Sequence, residues 1–380
     1  MIFGVAKEIK DGETRVAFLP ADVEELVGLG SQVLIETGAG ELSGHPDEEY
    51  IAAGATIVGS MKEVWAGADL VVAIKELEEE HFPLIREGMA IAASLHSNAH
   101  PEEVDALLKN KVTSIAYEDI TDAKGEFPIL KTQSPVAGSG AVIMAAYHMS
   151  AASIRPDGTR GPGVMMTKIT GCPVAEVTIT GGGFAGIAAA QAAAGMGANV
   201  TLMDINVDRL NAARAVLPDN VQYLLSTKSA IEARLEVSDL LVNCVPWPKN
   251  RKDYLITREM MQKHAKPTML VCDVACDVGG ALETCIQSTS HSEPLYQYDG
   301  ITYYCVDNIP AAFGRTAMAS CSVPQRPIMR EFAKKGVVQA LKDNKFLRTA
   351  LTTHDGKLTL LETALKQNRP YTTPEEALGM

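Results

Sequence analysis

The stretch Glu176-Val-Thr-Ile-Thr-Gly181-Gly182-Gly183-Phe184-Ala185-Gly186-Ile-Ala-Ala-Ala, followed by Asn199-Val-Thr-Leu-Met-Asp204, decides the fold. An apolar, β-branched run ends on glycines, an alanine-rich helical segment follows, and a second apolar run closes on a carboxylate. Gly181, Gly183 and Gly186 have the spacing G-x-G-x-x-G, and the strand–turn–helix setting gives that spacing its meaning. Gly181 permits the tight turn, Gly183 lets the backbone approach a pyrophosphate, and Gly186 lets the helix lie close to the sheet. The helix N-terminus offers unpaired N–H groups and partial positive charge to phosphates. Asp204 stands where a carboxylate accepts hydrogen bonds from the adenosine ribose and repels a 2′-phosphate, so NAD is expected rather than NADP. Arg209 is close enough to help a phosphate if the loop bends. A structural glycine turn with no ligand is the alternative reading.

Outward from this unit the same alternation continues. Towards the N-terminus, strands are expected at Ile2–Ala6, Ser31–Glu36, Asp69–Lys75, Met89–Leu95 and Val112–Tyr117. Helices are expected to open at Pro20 and to run over His45–Ala53 and Pro101–Lys109. A loop over Asp122–Pro135 leads into an alanine-rich helix at about Gly138–Ser153, and a Gly/Pro-rich connection follows at Arg155–Gly163. The second series comprises helices Phe184–Gly197 and Val207–Val216 and strands Asp239–Val245, Thr268–Val274 and Ile301–Val306. After Pro310 the pattern turns helical, including Pro324–Lys335 and Lys357–Lys366, with no further strands expected. The fold class is therefore α/β, with two Rossmann-like, doubly wound parallel-sheet domains. The dinucleotide domain is expected at 131–307, inserted in a discontinuous domain formed by 1–130 and a return at 308–380.

Composition agrees with a chain of two cores. It has 380 residues, 46% hydrophobic and 21% charged, beyond the size at which single cores stop growing. The net charge of −13, without a Lys/Arg block, argues against nucleic acid or an anionic membrane as partner. Seven cysteines are scattered without a CxxC pair, mostly in apolar runs, as buried reduced thiols are. Cys272 and Cys276 lack companions for a metal site, so no metal is expected. Met1-Ile-Phe-Gly-Val-Ala has no basic n-region or cleavage site, and the longest apolar stretch, Val136–Ala152, is short and interrupted. A cytoplasmic location is expected.

Chemistry in the first domain is sought at strand ends, where open α/β sheets hold their ligands. Lys75 ends Leu70-Val-Val-Ala-Ile, and His96 ends Met89-Ala-Ile-Ala-Ala-Ser-Leu. Taken alone, each is equally an ordinary surface residue, and Arg15 would pass for a solvated charge. Asp277 and Asn308 follow strands of the dinucleotide domain.

A resemblance sharpens these assignments. The stretches Lys7-Glu-Ile-Lys, Glu13-Thr-Arg-Val-Ala, Glu36-Thr-Gly-Ala-Gly, Ile74-Lys-Glu, Leu95-His, Ile115-Ala-Tyr-Glu and Ser134-Pro-Val-Ala-Gly resemble the alanine dehydrogenase and transhydrogenase alpha-subunit family. So do Gly181 to Gly186, Asp204-Ile-Asn-Val-Asp-Arg-Leu, Asp273-Val-Ala-Cys-Asp-Val-Gly-Gly and Tyr304-Cys-Val-Asp-Asn-Ile-Pro, and the likeness runs from end to end. It implies that Arg15 and Lys75 bind a substrate carboxylate, that His96 and Asp277 manage proton transfer and the attacking water, and that Asn308 lines the pocket. Lys75 belongs to both the substrate-binding and the catalytic set. The implied cofactor set adds Ser134, Phe184, Ala185, Ile205, Arg209, Val245, Asp277, Asn308 and Ile309 to the glycines and Asp204. A homo-oligomer, commonly a hexamer, is implied too.

The expected activity is NAD-dependent, reversible oxidative deamination of an L-amino acid. A hydride leaves Cα for the nicotinamide, water attacks the imine, and ammonia departs; Arg15 and Lys75 would orient Cα, and a histidine exchanges protons near neutral pH. The chain departs from the family where Ser94 replaces an aromatic residue, Gln133 a methionine, Ser139 an arginine and Ile309 a methionine. Ser97-Asn98-Ala-His100 replaces an apolar segment. Polar groups in a closed pocket need partners, so Ser94 and Gln133 point to a substrate larger or more polar than alanine; repacking that satisfies them would leave alanine as substrate. Three other functions compete. They are opine- or saccharopine-type coupling of a keto acid with an amino acid, a transhydrogenase-type NAD-binding component, and a non-catalytic NAD sensor.

Overall fold

The computed structural model describes residues 1–248, 251–276 and 280–380. The chain divides into two compact units, Met1–Gln133 with Phe313–Met380, and Ser134–Ala312. In chain order the strands are β1 (Ile2–Val5), β2 (Gln32–Glu36), β3 (Thr56–Val58), β4 (Leu70–Val72), β5 (Ala90–Ala93), β6 (Thr113–Ala116), β7 (Glu176–Thr180) and β8 (Asn199–Asp204). They continue with β9 (Val221–Leu225), β10 (Leu240–Asn243), β11 (Leu270–Asp273), β12 (Leu295–Tyr298), β13 (Ile301–Tyr304), β14 (Leu351–His354) and β15 (Lys357–Leu358).

The first unit carries one sheet of order β15-β14-β6-β5-β4-β1-β2-β3, in which β1 to β6 run parallel. Every residue of β4, β5 and β6 is buried, as expected of parallel strands covered on both faces, and the sequences of β4 and β5 are apolar runs rather than alternations. The chain leaves β1 for β2 and β3 on one side, then crosses to β4 on the other. The β1/β4 boundary is thus the switch point, and the C-terminal ends of six strands share one edge.

The second unit carries a sheet of order β12-β13-β11-β10-β7-β8-β9, parallel except for β12. Its switch point lies between β7 and β10. The helix Phe184–Met196 follows β7 and ends at Gly197, whose φ of 106° needs glycine. No helix among the described residues is long and apolar enough to cross a membrane.

Four expectations are corrected. The loop expected over Asp122–Pro135 is helical from Pro128, and that helix runs to His148 with Pro135 inside it. A proline there removes one backbone donor, and the helix carries on, with Ile129, Val142 and Ala145 buried. The C-terminal helix likewise begins at Gly314 and runs through Pro324 and Pro327. The tail, expected to hold no strands, contributes β14 and β15, with β14 antiparallel to β6. Residues expected as the start of a helix at Lys357 form β15, and the helix is Leu361–Gln367. The hairpin turns at Asp355-Gly356, both with positive φ (46° and 73°), the conformation that an Asp-Gly pair favours. Asp299-Gly300 (52° and 79°) makes the same turn between β12 and β13.

Candidate active site

In the first unit, charged side chains gather beyond the C-terminal ends of β1, β4, β5 and β6. Arg15 is buried. Its Nε and Nη2 donate to the two carboxylate oxygens of Glu13 at 2.8 and 2.6 Å, and its Nη1 donates to Gln133 Oε1 at 3.1 Å. Gln133 Nε2 in turn donates to the Ala317 carbonyl at 3.1 Å. The guanidinium is therefore held on two sides before any ligand arrives, which is what a carboxylate-binding fork needs.

Lys75 is also buried, and its Nζ lies 3.1 Å from Glu76 Oε2. The same oxygen is 3.2 Å from His96 Nδ1, and Glu76 Oε1 is 2.5 Å from Lys10 Nζ. Burial on its own would raise the Glu76 carboxyl. The His96 hydrogen bond and the Lys75 and Lys10 cations outweigh it and hold Glu76 well below the usual carboxylate range. His96 has a positive φ of 45°, uncommon without glycine, and its backbone N–H donates to Glu118 Oε1 at 2.6 Å. Its imidazole is about half exposed, the rest of the residue being fixed from both neighbouring strands.

Glu8, after β1, meets the backbone of the segment that carries Lys75 and lies within reach of the charge of Arg15. Its Oε1 accepts from the Ile74 N–H at 2.6 Å, and burial is the main force pushing its carboxyl up to about 8. A Glu8 that keeps its proton near neutral pH does not cancel Arg15 and Lys75, so their attraction for an anion persists. Ser94 is partly buried, its N–H donates to the Ile74 carbonyl at 3.2 Å, and its hydroxyl has no hydrogen-bond partner among the described residues.

The segment after His96 is held by the C-terminal tail. Gln367 Nε2 donates to the Ser97 carbonyl at 2.6 Å, and Thr363 Oγ1 donates to Asn98 Oδ1 at 2.7 Å. The polar run Ser97-Asn98-Ala-His100 thus has polar partners on the helix Leu361–Gln367.

In the second unit, the turn after β7 is shaped for a dinucleotide. A Cβ on Gly186 would lie 1.7 Å from the Gly181 oxygen, and one on Gly181, where φ is 95°, would lie 2.9 Å from the Cys244 carbonyl. A Cβ on Gly183 would meet nothing within 4 Å, so the backbone there is open to a phosphate. Asp204 Oδ2 accepts from the Gly182 N–H at 2.7 Å and Oδ1 from the Asn206 N–H at 2.8 Å. Each oxygen keeps a further lone pair for ribose hydroxyls. Arg209 Nη1 is 3.9 Å from Asp204 Oδ2. Phe184 and Ile205 are exposed beside the turn, Ala185 stands against Gly138, and Val245 follows β10 at the switch point. Ser134 lies partly buried on the helix Pro128–His148, while Asn308 and Ile309 are buried after β13. Beneath the loops, Thr180 Oγ1 donates to Asn243 Oδ1 and Asn243 Nδ2 to Asp273 Oδ1, both at 2.8 Å, tying β7, β10 and β11 together. Asp277 lies outside the described residues.

Arg15, Lys75, Ser94, His96 and Gln133 thus fall in the first unit, and Asn308 with the cofactor set in the second. The sequence reading passed over Glu8, Lys10, Glu13, Glu76 and Glu118. Their signal was position: like Lys75 and His96, each lies close after the end of a parallel strand.

A glycine turn with its acid at one switch point, and caged cations with a histidine at another, define a two-domain oxidoreductase that uses a nicotinamide dinucleotide. Residues 4–137 match the family model "Alanine dehydrogenase/PNT, N-terminal domain", and residues 141–360 match "Alanine dehydrogenase/PNT, C-terminal domain". The chain belongs to the alanine dehydrogenase/PNT family, and its cofactor is NAD. The alanine dehydrogenase of Methanococcus maripaludis is 38% identical over 379 residues, covering 100% of both chains. That of Bacillus subtilis is 38% identical over 378 residues, covering 100% of this chain and 98% of the relative. A solved L-alanine dehydrogenase superposes with a TM-score of 0.89 at 32% identity, over 97% of this chain and 99% of that one. A transhydrogenase from Sinorhizobium meliloti shares the fold, with a TM-score of 0.76 at 23% identity over 94% and 98%.

Proposed function

We propose that this protein catalyses the reversible, NAD-dependent oxidative deamination of a small L-amino acid to its keto acid and ammonia. The observation that carries the reading is the pair of buried, caged cations, Arg15 and Lys75, beside a half-exposed histidine at one sheet edge. Full-length relatives named alanine dehydrogenase support it.

Arg15 and Lys75 bind the substrate carboxylate from two directions and so fix the orientation of Cα. NAD, when bound, supplies the hydride acceptor. His96 takes a proton from the water that adds to the imine carbon and returns one as the amine leaves, a role suited to an imidazole near neutral pH. Asp277 would share in that transfer, and Asn308 would line the pocket.

The amide of Gln133 is engaged by Arg15 and Ala317, so it makes no demand on the substrate. The case for a side chain larger or more polar than the alanine methyl therefore rests on Ser94. Its hydroxyl would be satisfied by a substrate hydroxyl or amide.

The test is an NAD+ reduction screen over the L-amino acids, repeated in reverse with keto acids and NADH, with and without ammonia. Turnover of alanine together with a polar neighbour such as serine, and NADH oxidation that requires ammonia, are the expected results. Ammonia-independent NADH oxidation with a second amino acid would replace this reading by reductive coupling. Absence of turnover with every amino acid would overturn both.

A further inference from the structure

Glu76 makes three contacts, and no role attaches to it from the sequence. Its buried carboxylate reaches Lys75 at 3.1 Å and His96 Nδ1 at 3.2 Å through Oε2, and Lys10 at 2.5 Å through Oε1. Lys10 comes from the segment after β1 and His96 from that after β5, while Glu76 itself follows β4. One carboxylate therefore links three strand ends. An ionised carboxylate only accepts hydrogen bonds. A neutral imidazole facing it must place its proton on Nδ1, which leaves the lone pair on Nε2.

We propose that Glu76 is the positioning residue of this site: it locks His96 in the Nδ1–H tautomer, presents Nε2 as the basic nitrogen, and anchors the Lys75 ammonium through the same oxygen. This deepens the amino-acid dehydrogenase reading and rests on it for the role of His96.

The surroundings leave that task to Glu76. Glu118 accepts from the His96 backbone N–H, not from the ring. Glu103 accepts from the Leu77 N–H, and its carboxyl is raised well above the usual range, chiefly by burial. His100 is lowered, first by burial, with Glu76 opposing. Lys10 faces the far oxygen of Glu76 and balances its charge without competing for His96. The positive φ of His96 gives the ring a fixed origin, so a single contact at Nδ1 sets its direction.

The experiment is ¹⁵N NMR of the histidine-labelled protein, with His96 assigned by difference against His96→Gln, run on wild type, Glu76→Gln and Glu76→Leu. Wild type is expected to show a protonated Nδ1 and a bare Nε2. Glu76→Leu should lose that state for the Nε2–H form that free imidazole favours, and Glu76→Gln, which keeps one acceptor oxygen, should retain part of it. Kinetics should follow. We expect kcat to fall about 100-fold in Glu76→Leu, with partial rescue in Glu76→Gln. The Kd for NADH and the thermal unfolding of the second unit should not change. A His96 tautomer that is the same in wild type and Glu76→Leu, or an Nε2–H form in wild type, would overturn the proposal. A wild type with the Nδ1–H tautomer and no amino-acid turnover would uphold the tautomer lock and sink the functional reading instead.

Discussion

Gln133 stands between the Arg15 guanidinium and the Ala317 carbonyl, accepting from one and donating to the other. A methionine at this position would fill similar space without either bond. Hydrogen bonds to charged groups contribute about 1.5–3 kcal/mol, so Gln133→Met should loosen Arg15. The expected outcome is a KM for the amino acid raised roughly tenfold, with the preference among amino acids and the Kd for NAD unaltered; steady-state kinetics over the substrate panel check this. A shift in preference with unchanged KM would mean that Gln133 meets the substrate side chain instead. At this scale the site was half legible. Lys75 and His96 could be singled out because a cation and a histidine at strand ends point to chemistry, whereas Arg15, which alone would pass for a solvated charge, is picked out only by the family resemblance. Glu76 could not, because its partners Lys10 and His96 lie 66 and 20 residues away. Nothing in Ile74-Lys-Glu indicates that both adjacent charges are buried.

The helix Leu361–Gln367 acts on the site through the segment it grips, with Gln367 on the Ser97 carbonyl and Thr363 on Asn98. Cutting Gln367 to alanine leaves that carbonyl only the longer bond from the His100 N–H at 3.3 Å, next to a His96 held at φ 45°. Backbone amides of residues 97–100 should then exchange hydrogen faster, while those of β5 keep their protection. We expect kcat/KM for the amino acid to fall several-fold, since small displacements of a reacting group are costly. Hydrogen exchange read by mass spectrometry decides it, and unaltered exchange at 97–100 would show that the grip is idle. Elements with strong local punctuation were readable from the sequence, among them the glycine turn before the helix Phe184–Met196 and the helix Pro101–Lys109 with proline at its first position. The tail hairpin was missed although Asp355-Gly356 marks its turn, because two short strands of mixed polarity gave no alternation long enough to notice. The helix Pro128–His148 was obscured by Pro135, whose local penalty is outweighed by the apolar side chains the helix buries.

For the molecule as a whole, the buried carboxyls set how stability varies with pH. Glu8, pushed up to about 8 mainly by burial, keeps its proton in the folded chain over a range where the unfolded chain, near 4.5, has lost it. Its contribution to stability is therefore complete below 4.5 and declines as pH rises towards 8. Glu76, held down by His96, Lys75 and Lys10 against burial, works in the opposite sense: its contribution is complete above 4.5 and fades as pH falls below it. Glu8→Gln should thus gain in Tm on the wild type as pH climbs from 5 to 8 and gain nothing below 4.5. Thermal unfolding at a series of pH values measures the difference, and a constant gap would rule out Glu8 as the titrating group.

The return of the tail to the first sheet also orders events during synthesis. Ser134–Ala312 is one uninterrupted segment and can close its core as soon as it leaves the ribosome. The sheet it interrupts must wait. Until Leu351–His354 emerges, β6 lacks the neighbour that covers its outer side, and it presents unpaired backbone groups to any passing chain. While the residues from Phe313 to His354 are being made, the nascent protein is thus a finished insert beside an unfinished host. Substitutions that weaken β14 would be felt first as aggregation during expression rather than as a loss of catalysis.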